Sequence, residues 1–172
     1  QSKRIGVHFN FAPVLDINTN PKNPIIGFRS FGENKENVAE SALALMKGYQ
    51  SLNLLATGKH FPGHGDTEID SHAALPTINF SKERLNDVEL YPYKKLFDEG
   101  LASVMVAHLN VPSLEPRENI PSSVSHNIIT DVLKMQLQFK GLIFTDALNM
   151  KAAKNFRDPG QIDLEAFLAG ND

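Results

Sequence analysis

The chain has 172 residues, of which 41% are apolar and 22% charged, and its formal charge is −3. That apolar share supports a sizeable core and excludes a disordered tail or a fibre. The near-neutral charge argues against a nucleic-acid partner, and no apolar run approaches the ~18–20 residues of a membrane span. Cysteine is absent, which excludes a disulfide framework, a thiolate metal site and a cysteine nucleophile.

Short β-rich runs occur at 5–17, 54–58, 103–107 and 142–145, separated by longer stretches of helical period. The first helix is expected over Glu36–Leu52, with Val38, Ala42, Leu45, Met46, Tyr49 and Leu52 on one face. Ser81 can cap a second, running towards Glu99 with Leu85, Val88, Leu96 and Phe97 inward and Gly100 as its stop. Pro92 inside it predicts a kink or two shorter helices. Ser125 can cap a third, burying Ile128, Ile129, Val132, Leu133 and Leu137, and a last helix is expected over Ile162–Leu168 before Gly170. This β-α alternation predicts a parallel sheet covered by helices, either part of a (β/α)8 barrel or an open doubly wound sheet.

Titratable residues fall at the end of every strand: Asp16 after the first, Lys59 and His60 at the second, His108 at the third and Asp146 at the fourth. The carboxyl ends of parallel strands are where α/β folds carry their chemistry. For Asp146 two readings stand side by side, a nucleophile at the mouth of an apolar strand or an N-cap for the following helix. The loops 18–31 and 62–77 are too long for plain connectors and are candidates for function.

The segment 59–72 holds three of the six histidines. His60 and His64 are four apart, as in zinc-binding helices, but Pro62, Gly63 and Gly65 forbid a regular helix there and remove the meaning of that spacing. Asp70 and His72 share a side in extended chain, and a carboxylate beside an imidazole raises its pKa and sets its tautomer. His72 is then a candidate general acid/base. A solvated loop is the plain alternative. The Pro-Gly-His-Gly run also predicts a mobile loop that closes over a ligand.

The run Lys59-His-Phe-Pro-Gly-His-Gly followed by Asp70-Ser-His72 resembles the signature of glycoside hydrolase family 3, in its bacterial β-N-acetylglucosaminidase branch. Asn10-Phe-Ala-Pro-Val-Leu-Asp16, Arg29-Ser-Phe-Gly, Val104-Met-Val-Ala-His108 and Ile143-Phe-Thr-Asp146 agree in order and spacing. The resemblance implies an α/β fold of the (β/α)8 TIM-like barrel type, present here as about four central β/α units. On this reading residues 1–172 are part of one catalytic barrel domain continuing beyond both ends, because such barrels take about 250 residues.

The resemblance further implies a retaining exo-hydrolase that releases terminal β-linked N-acetylglucosamine. Asp146 matches the nucleophile, His72 the acid/base and Asp70 its dyad partner. Arg29, Lys59 and His60 match residues that bind the hydroxyls of the terminal sugar, and Asp16 and His108 match further pocket positions. No metal and no organic cofactor is implied. The expected partner is a glycan or muropeptide ending in N-acetylglucosamine. A phosphorylase, with phosphate in place of water, and an inactive sugar-binding fragment are the alternatives. With no Trp and three Tyr, a small pocket for one terminal sugar fits better than an extended cleft.

Overall fold

Four runs of strand-forming residues lie parallel in a sheet of order β1-β2-β3-β4: Phe9–Asn10 (β1), Leu55–Phe61 (β2), Ser103–Val106 (β3) and Leu142–Thr145 (β4). The computed structural model describes residues 1–67, 75–154, 156–158 and 160–172. Each strand pairs with the next in the chain, and helices fill the crossovers, which is the connectivity of a TIM-type barrel.

The sheet curls. Phe9 on β1 and Phe144 on β4 stand edge to face with ring centroids 5.3 Å apart. In a flat sheet, three strand spacings would hold those positions roughly 14 Å apart. The sheet therefore follows an arc, and these rings fill its concave side. On the outer edge of β4 the chain returns at Asp172, whose N–H donates to the Ile143 carbonyl at 3.0 Å while its Oδ2 accepts the Ile143 N–H at 2.8 Å.

The helices follow the apolar periodicity. Lys35–Gln50 is capped by Asn34, whose side chain accepts the Asn37 N–H at 2.8 Å, and buries Val38, Ala39, Ala42 and Met46. Leu52, expected on its inner face, lies beyond its end and is exposed. Ser81 accepts the Arg84 N–H at 3.2 Å and starts the second helical segment. Its Lys82–Arg84 turn passes into a wider π-type stretch, Leu85–Glu89, and Tyr91–Asp98 follows with Pro92 in its first turn. Two shorter helices thus replace one, because Pro92 has no N–H to continue the ladder. Gly100, at φ 81°, ends this segment in the left-handed conformation that glycine adopts most easily.

Ser125 accepts the Ile128 N–H at 3.2 Å at the start of the π-type helix Asn127–Gln136, which buries Ile128, Ile129, Val132 and Leu133. The last helix, Gln161–Ala169, buries Ile162, Ala166 and Ala169. β2–β4 and the first three helical segments share one main core, in which Phe61 and Tyr93 meet edge to face at 5.2 Å between centroids, while Ile162 and Ala166 of the last helix pack in a second cluster with Val124 and Ala153.

The structure corrects the first strand. The run 5–17 begins as a 3-10 turn, Ser2–Ile5, is strand only at Phe9–Asn10, and touches β2 once more at the Val14–Lys59 bridge. Pro13 carries no N–H to donate into a ladder. The chain stays beside β2 through irregular bonds instead: Thr57 N–H to Ala12 O, Lys59 N–H to Pro13 O and Leu15 N–H to Lys59 O. Among the described residues, no helix is long and apolar enough to cross a membrane.

Candidate active site

The carboxyl ends of the strands bring the polar residues together. On β2 the register shifts between the pairs Lys59–Met105 and Phe61–Val106, so His60 is the extra residue of a bulge. A bulge re-aims the side chains beside it. Lys59 ends up half-buried, close enough to Arg29, Asp146 and Asp16 to feel all three. Burial and the Arg29 charge lower its pKa, while the attraction of Asp146 and Asp16 opposes them.

Beneath Lys59, the Asp16 carboxylate is fully enclosed. It accepts the His60 N–H at 3.2 Å, the His64 N–H at 2.7 Å, and lies 2.7 Å from His60 Nδ1. Burial works against its charge. The attraction of His60, the His60 hydrogen bond and the interactions with His64 outweigh burial and hold the carboxyl below its ordinary 3.8. His60 Nε2 faces Arg29 Nη2 at 3.4 Å. A guanidinium only donates, so Nε2 presents its lone pair to Arg29 and Nδ1–H donates to Asp16.

Arg29 sits on the 18–31 loop, and that loop is braced by the one following β2. Asn23 donates to the His64 carbonyl at 2.7 Å and accepts the Ile25 and Ile26 N–H groups at 2.9 and 2.8 Å. Thr19 donates to Asp66 at 3.0 Å, and Asn20 donates to the Asp66 carbonyl at 3.2 Å. The 18–31 loop and the described start of the second loop, residues 62–67, are therefore braced against each other. Asn23 was not singled out by the sequence; the density of Asn in 18–23 was its only signal.

The segment Pro62–Gly65 is buried, and its glycines have packing reasons. A Cβ on Gly65 would lie 1.9 Å from the Ile17 carbonyl oxygen, and one on Gly63 would lie 2.9 Å from the Glu89 side chain. Close approach thus accounts for two residues that the sequence reads as hinges. His64 Nδ1 lies 2.7 Å from Thr67 Oγ1. Asp70 and His72, the expected dyad, lie outside the described residues.

At the end of β4, the Asp146 N–H donates to Val106 O at 2.8 Å, tying it to β3. Its Oδ1 accepts the N–H of Ala147 at 2.8 Å, and among the described residues no hydrogen bond is made to Oδ2. The structure corrects the N-cap reading of Asp146: the next helix begins only at Lys151, and the carboxylate bonds the N–H of the adjacent residue instead, at the mouth of β4. His108 lies two residues past β3 and is buried, with Nδ1 2.7 Å from Ser123 Oγ and Nε2 3.0 Å from Ala147 O. Asp16 and His108 are both buried and bonded to protein partners, as is His60, whose ring nitrogens face Asp16 and Arg29.

Among the described residues, no group of three or more His, Asp or Glu is placed to hold a metal ion. His60 and His64 stand with ring centroids 6.0 Å apart, on a non-helical segment.

An arc of parallel strands with cations and a carboxylate at its mouth is the arrangement of a barrel-type α/β domain, and comparison with known proteins is specific about the family. The pattern of the glycosyl hydrolase family 3 N-terminal domain matches residues 2–172, and the chain belongs to that family. It is 35% identical to a β-hexosaminidase A of Pseudoalteromonas piscicida over 98% of this chain and 30% of that protein. A glycoside hydrolase family 3 β-N-acetylglucosaminidase from Paenibacillus sp. superposes with TM-score 0.97 at 43% identity, over 99% of this chain and 32% of that one. The β-glucoside phosphorylase BglX, bound to 2FGlc, superposes with TM-score 0.95 at 28% identity, over 99% of this chain and 32% of that one. The chain thus spans about a third of the length of these relatives.

Proposed function

We propose that this chain carries the nucleophile and much of the sugar pocket of a retaining β-N-acetylglucosaminidase. The supporting observation is the cluster at the strand ends: Asp146, with one carboxylate oxygen unbonded among the described residues, close to Lys59, with Arg29 and His60 beside them. Likeness to a β-hexosaminidase and to a β-N-acetylglucosaminidase supports the choice of sugar. The substrate is a glycan or muropeptide with N-acetylglucosamine at its non-reducing end.

In the first step Asp146 Oδ2 attacks the anomeric carbon, and the glycosidic C–O bond breaks. His72, as imidazolium, gives its proton to the leaving oxygen. In the second step neutral His72 takes a proton from water, whose oxygen attacks the same carbon and frees Asp146. The roles of His72 and Asp70 rest on the family resemblance. Arg29, Lys59 and His60 hold the sugar hydroxyls, and the two cations do so through charge-assisted bonds.

The test is release of nitrophenol from its β-N-acetylglucosaminide by the full-length protein. Asp146→Ala is expected to lower kcat by about a thousandfold or more, and an intact rate overturns the assignment. Likeness to a phosphorylase favours one second reading, in which phosphate replaces water. A rate and product unchanged by added phosphate dispose of it.

A further inference from the structure

We infer that His108 is a positioning residue for Asp146, acting through the backbone of Ala147. The inference rests on the reading of Asp146 as nucleophile and adds to it the device that aims the carboxylate.

The partners of the His108 ring decide its hydrogens. A carbonyl oxygen only accepts, so the nitrogen 3.0 Å from Ala147 O carries the hydrogen, and that is Nε2. Nδ1 then presents its lone pair to the Ser123 hydroxyl at 2.7 Å, and Ser123 is fully buried. Burial disfavours the charged ring and lowers its pKa, although Ala147 and Asp146 pull the other way. The ring is a neutral donor with one tautomer.

Ala147 is held from both sides by this arrangement. Its carbonyl accepts from His108, and its N–H donates to Asp146 Oδ1 at 2.8 Å. Ala147 is itself exposed and lies beyond the end of β4, and its carbonyl also accepts the Met150 N–H at 2.9 Å, so His108 is the second of two donors that hold this peptide. The Asp146 N–H is already tied to Val106 O. The end of β3 therefore grips residues 146 and 147 at successive points. With His108 in place, both the carbonyl and the N–H of Ala147 are bonded, and Asp146 Oδ1 is committed. Without it, the Ala147 carbonyl keeps only the Met150 turn bond, and the backbone that carries the Ala147 N–H to Asp146 Oδ1 is held less firmly. Misplacement of a reacting atom by about 1 Å costs on the order of a hundredfold.

The experiment uses the full-length enzyme and an aryl β-N-acetylglucosaminide. His108→Asn places its amide near the former Nδ1 and cannot reach Ala147 O. It is expected to lower kcat by about 10- to 100-fold with KM within about twofold. His108→Gln carries an amide nitrogen to the former Nε2 position and is expected to recover kcat to within about threefold of the parent enzyme. Ser123→Ala, which keeps the ring and frees its tautomer, is expected to lower kcat about threefold at constant KM, and it serves alone if His108→Asn does not fold. An unchanged kcat in folded His108→Asn or Ser123→Ala overturns the inference. So does equal loss in His108→Gln and His108→Asn, or a loss confined to KM. Failure of the nucleophile reading is seen separately, as activity surviving in Asp146→Ala.

Discussion

Asp16 and His60 form the buried pair on which the site end of β2 rests. Asp16 Oδ2 lies 2.7 Å from His60 Nδ1, and the same carboxylate takes the backbone N–H groups of His60 and His64. One carboxylate thus holds a bulge, a ring tautomer and the entry to the following loop. Because Nδ1 is the donor, Nε2 is the atom that meets Arg29. The sugar-binding reading of His60 and Arg29 depends on that order of hydrogens.

Asp16→Asn exchanges one of these acceptors for a donor. Either the His64 N–H or the His60 Nδ1–H then loses its partner. The expected cost is about 1–3 kcal/mol of stability, with kcat/KM lower by about tenfold or more. Denaturant titration and steady-state kinetics on the full-length enzyme measure the two. A variant with parent-like values of both removes Asp16 from its place under the site.

Gly65→Ala puts a methyl group 1.9 Å from the Ile17 carbonyl oxygen. Backbone must move, so the expected loss is about 3 kcal/mol or more. Were Gly65 only a hinge, the same change would leave the thermal midpoint nearly unaltered. A differential scan of the variant separates the two.

Tyr93 is fully buried beside Phe61, and its hydroxyl has no hydrogen-bond partner among the described residues. Burial, and secondarily the Asp16 charge, push its pKa well above the ordinary tyrosine value. Tyr93→Phe removes a desolvated polar group without changing the ring and is expected to stabilise by about 1 kcal/mol. Chemical denaturation reads this directly. A destabilised variant means the hydroxyl has a bonding role.

Stability is expected to fall in mild acid. His64 and His108 are buried, and burial, the largest influence on each, holds both pKa values below the ordinary 6.5. The unfolded chain takes up protons near 6.5, while the folded chain resists until lower pH. Their contribution is therefore complete above 6.5 and declines as pH falls towards the folded values. Thermal midpoints measured from about pH 7 to about 6 should decrease, and His108→Gln should make the decrease shallower. A midpoint insensitive to pH in that window contradicts the buried-neutral state of both rings.

Much of this molecule is legible along the chain because the relevant physics is local. The apolar period placed the helices, Ser81 and Ser125 capped where hydroxyl chemistry predicts, and Pro92 split its helix. Strands ending in Lys59, His60 and Asp146 already implied a site at the carboxyl face. The run from Lys59 to His72 identified the family, since only a specialised loop combines those residues in that order.

Other features depend on residues distant in sequence, and only the fold decides them. Phe9 reaches Phe144 because the sheet curls. Asn23 braces His64, forty-one positions away, and the spacing of neither residue announces it. Asp16 and His108 stand out along the chain as strand-end residues, and the family resemblance implies pocket positions for them. Tertiary burial turned both inward, since a buried carboxylate or imidazole must find partners within the protein. By itself, the sequence determined the elements, the family and the candidate chemistry. The tertiary structure decided which polar groups face a ligand and which are spent holding the others in place, because that division depends on solvent access and contact geometry.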